Sequence, residues 1–400
     1  MNVPQAHGRR LVAVLAMLSA LAPFSMDMYL PAVPSMGSDL AASTASVQMT
    51  VAVFIFGIGS GQLLFGPLSD RFGRRAPVLI GVLLYVVATV GCSLASDVGW
   101  LIGLRLLQGL GVCAGQVIAN AILADLHEPR ELARLSSLIV IVSGVAPMIA
   151  PLVGGAVLDI LGWRAIFLTL AGYGVIVLMA VAWLIPETRS AAAMAQSRRE
   201  SALKSYLLIV RNGPLMRMAL IGGCGTSAFV TYLANAPALY IEQLHIAPRH
   251  FGWYFAVNVV GLMAASQGNR LLLTRHRPDK VLRGAVLAAA ILSSLLLVVS
   301  LAFPGERWPL LVALFFVIAT FPPIMANSMA LAQGHDRSRA GAVAAVVGSF
   351  QAIVGAAAAT ISSAMNDGTA VPIAVTMLSG ALMANALVYT ARFHRRSIER

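Results

Sequence analysis

Charge is what this chain lacks. Only 16 of its 400 residues are Asp or Glu, and charged residues of both signs make up 11% against 58% hydrophobic. A water-soluble domain of that composition has too little polar surface to cover itself, so a soluble enzyme or binding module is excluded. The mean hydropathy of +0.83 places the chain in a bilayer. Cysteine is scarce too: Cys92, Cys113 and Cys224 sit singly in apolar runs, giving neither a disulfide framework nor metal-ligand spacing. No paired carboxylates, Ser/His/Asp set or HExxH string occurs, and the seven His lie in loops or at the termini. No catalytic residue, metal or cofactor is expected.

What the chain has is apolar runs of about 20 residues, the length that crosses roughly 30 Å of hydrocarbon as helix. Twelve are found, near 11–32, 46–67, 77–95, 99–121, 134–157, 164–185, 216–240, 251–273, 282–303, 308–332, 340–364 and 370–391. The expected fold is an all-α integral membrane protein with an N-terminal six-helix bundle over 1–185 and a C-terminal one over 216–400. The segment 186–215, with "SRRESALK" inside it, is the central loop. Arg9, Arg10 and Ala20-Leu21-Ala22 mimic a secretory signal with its cleavage site, but the apolar run continues past that site, as a retained first helix does.

The bases sort by side. All Lys and Arg except Arg105, Arg164, Arg249 and Arg307 fall at the two ends of the chain, in loops 2–3, 4–5, 8–9 and 10–11, or in and beside the central loop. By the positive-inside rule both termini are cytoplasmic. The net charge of +12 is therefore a topology signal and not a nucleic-acid site, and any attraction is to anionic lipid heads.

After the second run comes "GQLLFGPLSDRFGRRAP", 61–77. As a bare loop it is a solvated basic turn. Its residues from Gly66 to Arg75 fill every position of G-x-L-S/A-D-R-x-G-R-R/K, and so resemble the loop 2–3 signature of the major facilitator superfamily. That resemblance implies two pseudo-symmetric bundles, and a conformational latch of Gly66, Asp70, Arg71, Gly73, Arg74 and Arg75. In it Asp70 faces the N-terminus of helix 11 and pairs with loop arginines, latching the two halves on the cytoplasmic side in the outward-facing state. The matching place in the second half, "GNRLLLTRHRPDK", has no equivalent Asp.

The fourth run, "LRLLQGLGVCAGQVIAN", sets Arg105, Gln108, Gln116 and Asn120 within roughly 120° of one another at 100° per residue. The amides serve equally as interhelical glue or as cavity lining; a charge at Arg105 demands more. In the first run, "PFSMDMYLPAVP" carries Asp27, sixteen residues from Leu11 and so about 24 Å across the core. Arg105 lies five residues beyond Trp100, about 8 Å from the same surface. The two are the only acid and base placed inside spans, so each is the other's most available counter-charge. Desolvation and a nearby cation shift a carboxyl pKa in opposite directions, which suits Asp27 to carry protons; a static ion pair is the other reading.

The fifth run, "SGVAPMIAPLVGGAVLDILGW", combines Gly144, Pro147, Pro151, Gly154 and Gly155. By itself it is a kinked helix. It also resembles the signature marking antiporters in that superfamily, with Ala146 and Ala150 where the pattern has Gly. With "MDMYLPAVP", "RLLQGLG" and "LGWRAIF", the whole is similar to the Bcr/CflA branch of drug:proton antiporters, the bicyclomycin and chloramphenicol resistance exporters. The resemblance implies Asp27 as the proton-coupling residue, Arg105 as its modulator, protons as coupling ion with no cofactor, and a cavity between the halves. Tyr29, Gln108, Gln116, Asn120, Thr231, Asn235, Asn258, Asn327 and Gln351 are the cavity candidates.

The function expected is proton-coupled export of small amphipathic drugs, neutral or zwitterionic, by a monomer in a bacterial inner membrane. A metabolite transporter on the same fold is the alternative, and a membrane-embedded lipid enzyme the remaining one.

Overall fold

The computed structural model describes residues 5–126, 129–191, 194–195, 197, 201–336 and 339–390. Of the bases used for orientation, Arg198, Arg199, Arg337, Arg392, Arg395, Arg396 and Arg400 lie outside the described residues.

The described chain is helical from end to end: α1 (Gln5–Asp27), α2 (Val33–Asp39), α3 (Thr44–Phe72), α4 (Arg75–Ser93), α5 (Val98–Leu126), α6 (Pro129–Leu161) and α7 (Trp163–Leu184) form the first half. After α8 (Ala202–Val210) come α9 (Gly213–Pro237), α10 (Pro248–Leu273), α11 (Pro278–Ala302), α12 (Arg307–Ile318), α13 (Phe321–His335), α14 (Ala340–Ala364) and α15 (Val371–Thr390). Ten segments are long and apolar enough to cross a membrane, one of them α12 and α13 in sequence. α9 and α10 are as long but carry more polar side chains, and packing places them in the second bundle. This is a multi-pass membrane protein of six plus six spans.

Helix ends follow local chemistry. Ser43 and Asn212 cap α3 and α9 by accepting from the N–H groups of Ser46 and Leu215. Gly73 and Gly162 stop α3 and separate α6 from α7 at φ +89° and +79°, where only glycine is free of strain. The distortion expected at "TFPP" is a break, with α12 ending at Ile318 and α13 starting at Phe321.

Two expectations need correction. The first span does not end near residue 32: after α1 the chain makes a 3-10 turn, Leu30–Ala32, and continues as α2 to Asp39. The central segment is not all loop, because α8 lies within it and α9 starts at Gly213.

Within the first half α3 and α4 both pack on α5, α4 on α7 and α1 on α6. The halves meet along two seams, α3 with α14 and α6 with α10. In the first seam Ser349 donates to the Gly59 carbonyl at 2.6 Å. In the second, a methyl group at Gly252 would run into Leu152. At the end of the molecule opposite the arginine-rich loops, Thr44 of α3 also reaches Glu242 beyond α9 at 3.3 Å.

Candidate functional site

Asp27 is the last residue of α1, and Pro31 explains why. Proline has no N–H to offer the Asp27 carbonyl four residues back, nor has Pro34 for Leu30, so the α ladder stops. The Asp27 side chain is 1% exposed, and its Oδ1 has no hydrogen-bond partner. Among the described residues it is the only buried acid; Arg105 and Arg74 are the only buried bases.

Arg105 shares this region, but the expected ion pair is not formed. Its Nη1 donates to the Ser25 carbonyl at 3.0 Å and to Gln108 Oε1. Its guanidinium lies between two rings, 4.3 Å from the centre of Tyr29 and 4.1 Å from that of Phe54. A desolvated cation–π contact contributes about 2 kcal/mol. Nε and Nη2 have no partner, and Asp27 stands within Coulombic range of Arg105 without bonding to it. The two side chains expected to be neighbours lie in one region of the fold, but sequence spacing could not reveal that a carbonyl, an amide and two rings hold the cation.

Those partners are themselves held. Gln108 Nε2 donates to Thr89 Oγ1 at 2.8 Å, and Thr89 donates to the Tyr85 carbonyl at 2.6 Å. The Tyr85 and Ser25 hydroxyls are bonded at 2.8 Å, which closes a ring through α1, α4 and α5. Tyr29 bonds Thr50 at 3.0 Å. The glycines of "RLLQGLG" make this possible: a methyl group at Gly109 would overlap the Phe54 carbonyl, and one at Gly111 would come within 2.6 Å of Tyr85 N. Close helix crossings thus press Phe54 onto Arg105 and bring α4 to Gln108. Ser25, Tyr85 and Thr89 were not singled out from sequence, although Tyr85 and Thr89 form an i, i+4 polar pair inside a span.

Across the seam, Tyr232 of α9 stands within Coulombic range of Asp27. Asn258 donates to the Tyr232 hydroxyl at 3.2 Å and to that of Tyr240 at 2.8 Å, inside an aromatic cluster with Phe251 and Phe255. Asn258 was expected; Tyr232 and Tyr240 were missed. Tyr240 arrives on a π turn, Ala238–Gln243, which no sequence pattern announces.

The other cavity candidates divide. Gln116 and Asn120 are exposed, and they lie about 180° and 140° around α5 from the exposed Leu107. Thr231 Oγ1 and both amide atoms of Gln351 are buried without partners. Asn235 bonds Ser362 of α14 at 3.4 Å, and Asn327 bonds Asn269 of α10 at 2.7 Å, so both join helices.

The arginine-rich turn is a network that ties the α3–α4 turn to the end of α5 and to the start of the central segment. Arg74 pairs with Asp70 at 2.9 Å and with Asp125 at 2.8 Å, and Arg189 pairs with Asp70 at 3.0 Å. Glu187 accepts from the N–H groups of Arg74 and Arg75 at 2.9 and 3.2 Å, where a side chain at Gly73 would collide with it. Burial pulls the Glu187 carboxyl up, but the N–H groups of Arg74, Arg189 and Arg75 outweigh it and hold it below its ordinary value. Among the described residues Asp70 is ion-paired with Arg74 of its own turn, as the resemblance implies, and with Arg189. Gly66 and Arg71 are half-buried beside them.

In the antiporter-like stretch, Gly154 packs directly on the Met28 carbonyl, next to Asp27, and Gly155 faces Pro248 and Arg249 of α10. Pro147 and Pro151 lie inside α6, while Gly144 has open space about it.

A family model described as the Major Facilitator Superfamily matches residues 15–359. The chain belongs to that superfamily. It is a transport protein and not an enzyme. Over 366 residues, 92% of each chain, it is 29% identical to a bicyclomycin resistance protein homolog of Haemophilus influenzae. It is 35% identical to a chloramphenicol resistance protein of Pseudomonas aeruginosa over 293 residues, 70% of this chain and 67% of that one. The crystal structure of a D-xylose-proton symporter superposes with a TM-score of 0.77 at 16% identity, covering 94% of this chain and 97% of the other. That likeness speaks for the fold alone. In the superfamily this chain falls in the drug-efflux branch.

Proposed function

We propose that this protein is a proton-coupled antiporter that exports small amphipathic drugs or antibiotics by alternating access of its two halves. The observation that carries the reading is the buried Asp27 carboxyl, its Oδ1 without a hydrogen bond, beside an Arg105 committed to other partners. An ionised carboxylate is costly to hold in such a site, and a proton relieves the cost. Deprotonated, Asp27 favours drug entering from the cavity between the halves, lined by Gln116 and Asn120. Protonation from the other side displaces the drug.

The arginine-rich end faces the cytoplasm by the positive-inside rule, with both termini on that side of a bacterial inner membrane. The chain works as a monomer, with protons as its only coupling ion. The network around Asp70 and Arg74 latches the cytoplasmic side during the cycle.

Substrate charge follows from the same site. Asp27 is the only buried carboxylate among the described residues, so a permanent cation would lose its counter-charge when Asp27 is protonated and would still meet Arg105. Neutral and zwitterionic drugs escape that repulsion. The test is a resistance panel on overexpression, followed by accumulation with and without a protonophore. Lower accumulation of uncharged antibiotics, abolished by the protonophore, is expected. Protonophore-sensitive movement of a metabolite, with no resistance to any drug, would replace drug by metabolite. Unchanged export with the gradient collapsed would remove proton coupling.

A further inference from the structure

The helix α8 belongs to neither bundle. One side of it is anchored: Ile209 is 2% exposed in a core with Leu215 and Met218 of α9, and Tyr206 packs against the same core. The Tyr206 hydroxyl also donates to the Leu63 carbonyl of α3 at 3.3 Å. That carbonyl is available for a specific reason. Its helical donor would be the N–H of residue 67, which is Pro67 and has none. A side chain of α8 therefore satisfies a carbonyl freed in the first half, while the body of α8 packs on the second.

The other side of α8 is apolar and uncovered. Leu203 is 76% exposed, Leu207 49% and Val210 52%, and at 100° per residue the three form one stripe. Lys204 and Arg211, both exposed, border it on one side. Depth can be judged from α3, which at 29 residues is about 43 Å long against a core of roughly 30 Å. The apolar run of α3 ends near residue 67, so Leu63, four residues or about 6 Å before that end, stands just inside the hydrocarbon boundary at the basic end. Tyr206 fixes α8 at that level, where an aliphatic stripe meets acyl chains and flanking bases meet headgroups.

We propose that α8 is a membrane-surface helix that binds anionic phospholipid through Leu203, Leu207, Val210, Lys204 and Arg211, and that the Tyr206–Leu63 bond couples this lipid to the arrangement of the two halves. The occupant is lipid because bases border the stripe and the adjoining α9 enters the bilayer two residues later. The cytoplasmic leaflet as the source rests on the orientation proposed above.

The test uses the full chain in vesicles of phosphatidylcholine alone or mixed equally with phosphatidylglycerol, and needs no knowledge of the transported drug. A nitroxide on Leu207→Cys reports immersion through collision with oxygen against a water-soluble nickel chelate; the native cysteines are buried. Immersion is expected to deepen with phosphatidylglycerol, and the double variant Lys204→Glu, Arg211→Glu to lose that gain, about fivefold in membrane partition per charge. Labelling of Asn120→Cys by a water-soluble thiol reagent reads the opening between the halves. Its rate should change severalfold with phosphatidylglycerol, and Tyr206→Phe should erase that change while leaving the immersion at residue 207 intact. A label at 207 open to the chelate in both membranes overturns the lipid site. Equal immersion with and without phosphatidylglycerol overturns its anionic selectivity, and a lipid effect that survives Tyr206→Phe overturns the coupling. Failure of drug export would leave all these readouts in place and count only against the proposed function.

Discussion

Arg105 donates to the carbonyl of Ser25, two residues before Asp27 on the same helix, and to Gln108, and leaves Asp27 Oδ1 without a partner. The cation is thus anchored to the backbone of the helix that carries the acid. Asp27 can gain or lose a proton, or meet a drug, without first breaking an ion pair.

Asp27→Asn keeps the shape and removes the titration. Uphill drug export should fall to background, with protein still present in the membrane and counterflow down a drug gradient retained. Proteoliposome transport under an imposed pH gradient checks this, and undiminished uphill export by the variant would end the proton-carrier role.

Arg105→Lys preserves charge but not the planar group held between Tyr29 and Phe54 or its geometry to Ser25 and Gln108. Transport should drop at least tenfold, and stability should fall by about 1 kcal/mol, since an ammonium keeps part of the cation–π attraction but not the planar stacking. Gln108→Ala should act in the same direction, since it takes one of the two hydrogen bonds of Arg105 Nη1 and the amide donor from Thr89, leaving Arg105 only the Ser25 carbonyl and the rings. Full activity in Arg105→Lys would mean that charge alone suffices.

Asp70→Asn weakens the pairs with Arg74 and Arg189 but leaves Arg74 its contact with Asp125. Turnover should slow severalfold with drug affinity in purified protein nearly unchanged. Equal loss of affinity would place Asp70 at the drug site.

Glu187 sets a pH window. Its carboxyl lies below the ordinary glutamate value, so its contribution is fully present above about pH 4.3 and is lost only as pH falls through the lowered value. Hydrogen-exchange protection at the Arg74 and Arg75 amides should stay constant from neutral pH down to that limit once intrinsic rates are removed. Glu187→Gln should lower the protection at every pH. Loss of protection between pH 7 and 5 in the unaltered protein would contradict the geometry.

A voltage test bears on the proposed substrate. With one proton exchanged for a neutral drug, export should respond to membrane potential as well as to the pH gradient. Transport that ignores voltage would require a second charge in the cycle.

The sequence by itself determined the solvent, the number of spans and the division into halves, because apolar runs near 20 residues and one-sided arginines depend on composition along the chain. It also determined which residues stand alone in the membrane: Asp27 and Arg105 are conspicuous wherever the helices end up. Tertiary structure decided what those residues touch. Arg105 prefers Ser25, Gln108 and two rings because Gly109 and Gly111 let α3 and α4 approach α5 closely, a spacing invisible in hydropathy. Tyr232 and Tyr240 join the site only because α9 packs across the seam and a π turn swings Tyr240 back onto Asn258. Tyr206 finds Leu63 because Pro67 frees a carbonyl some 140 residues away in the chain, and only folding brings such a donor to such an acceptor.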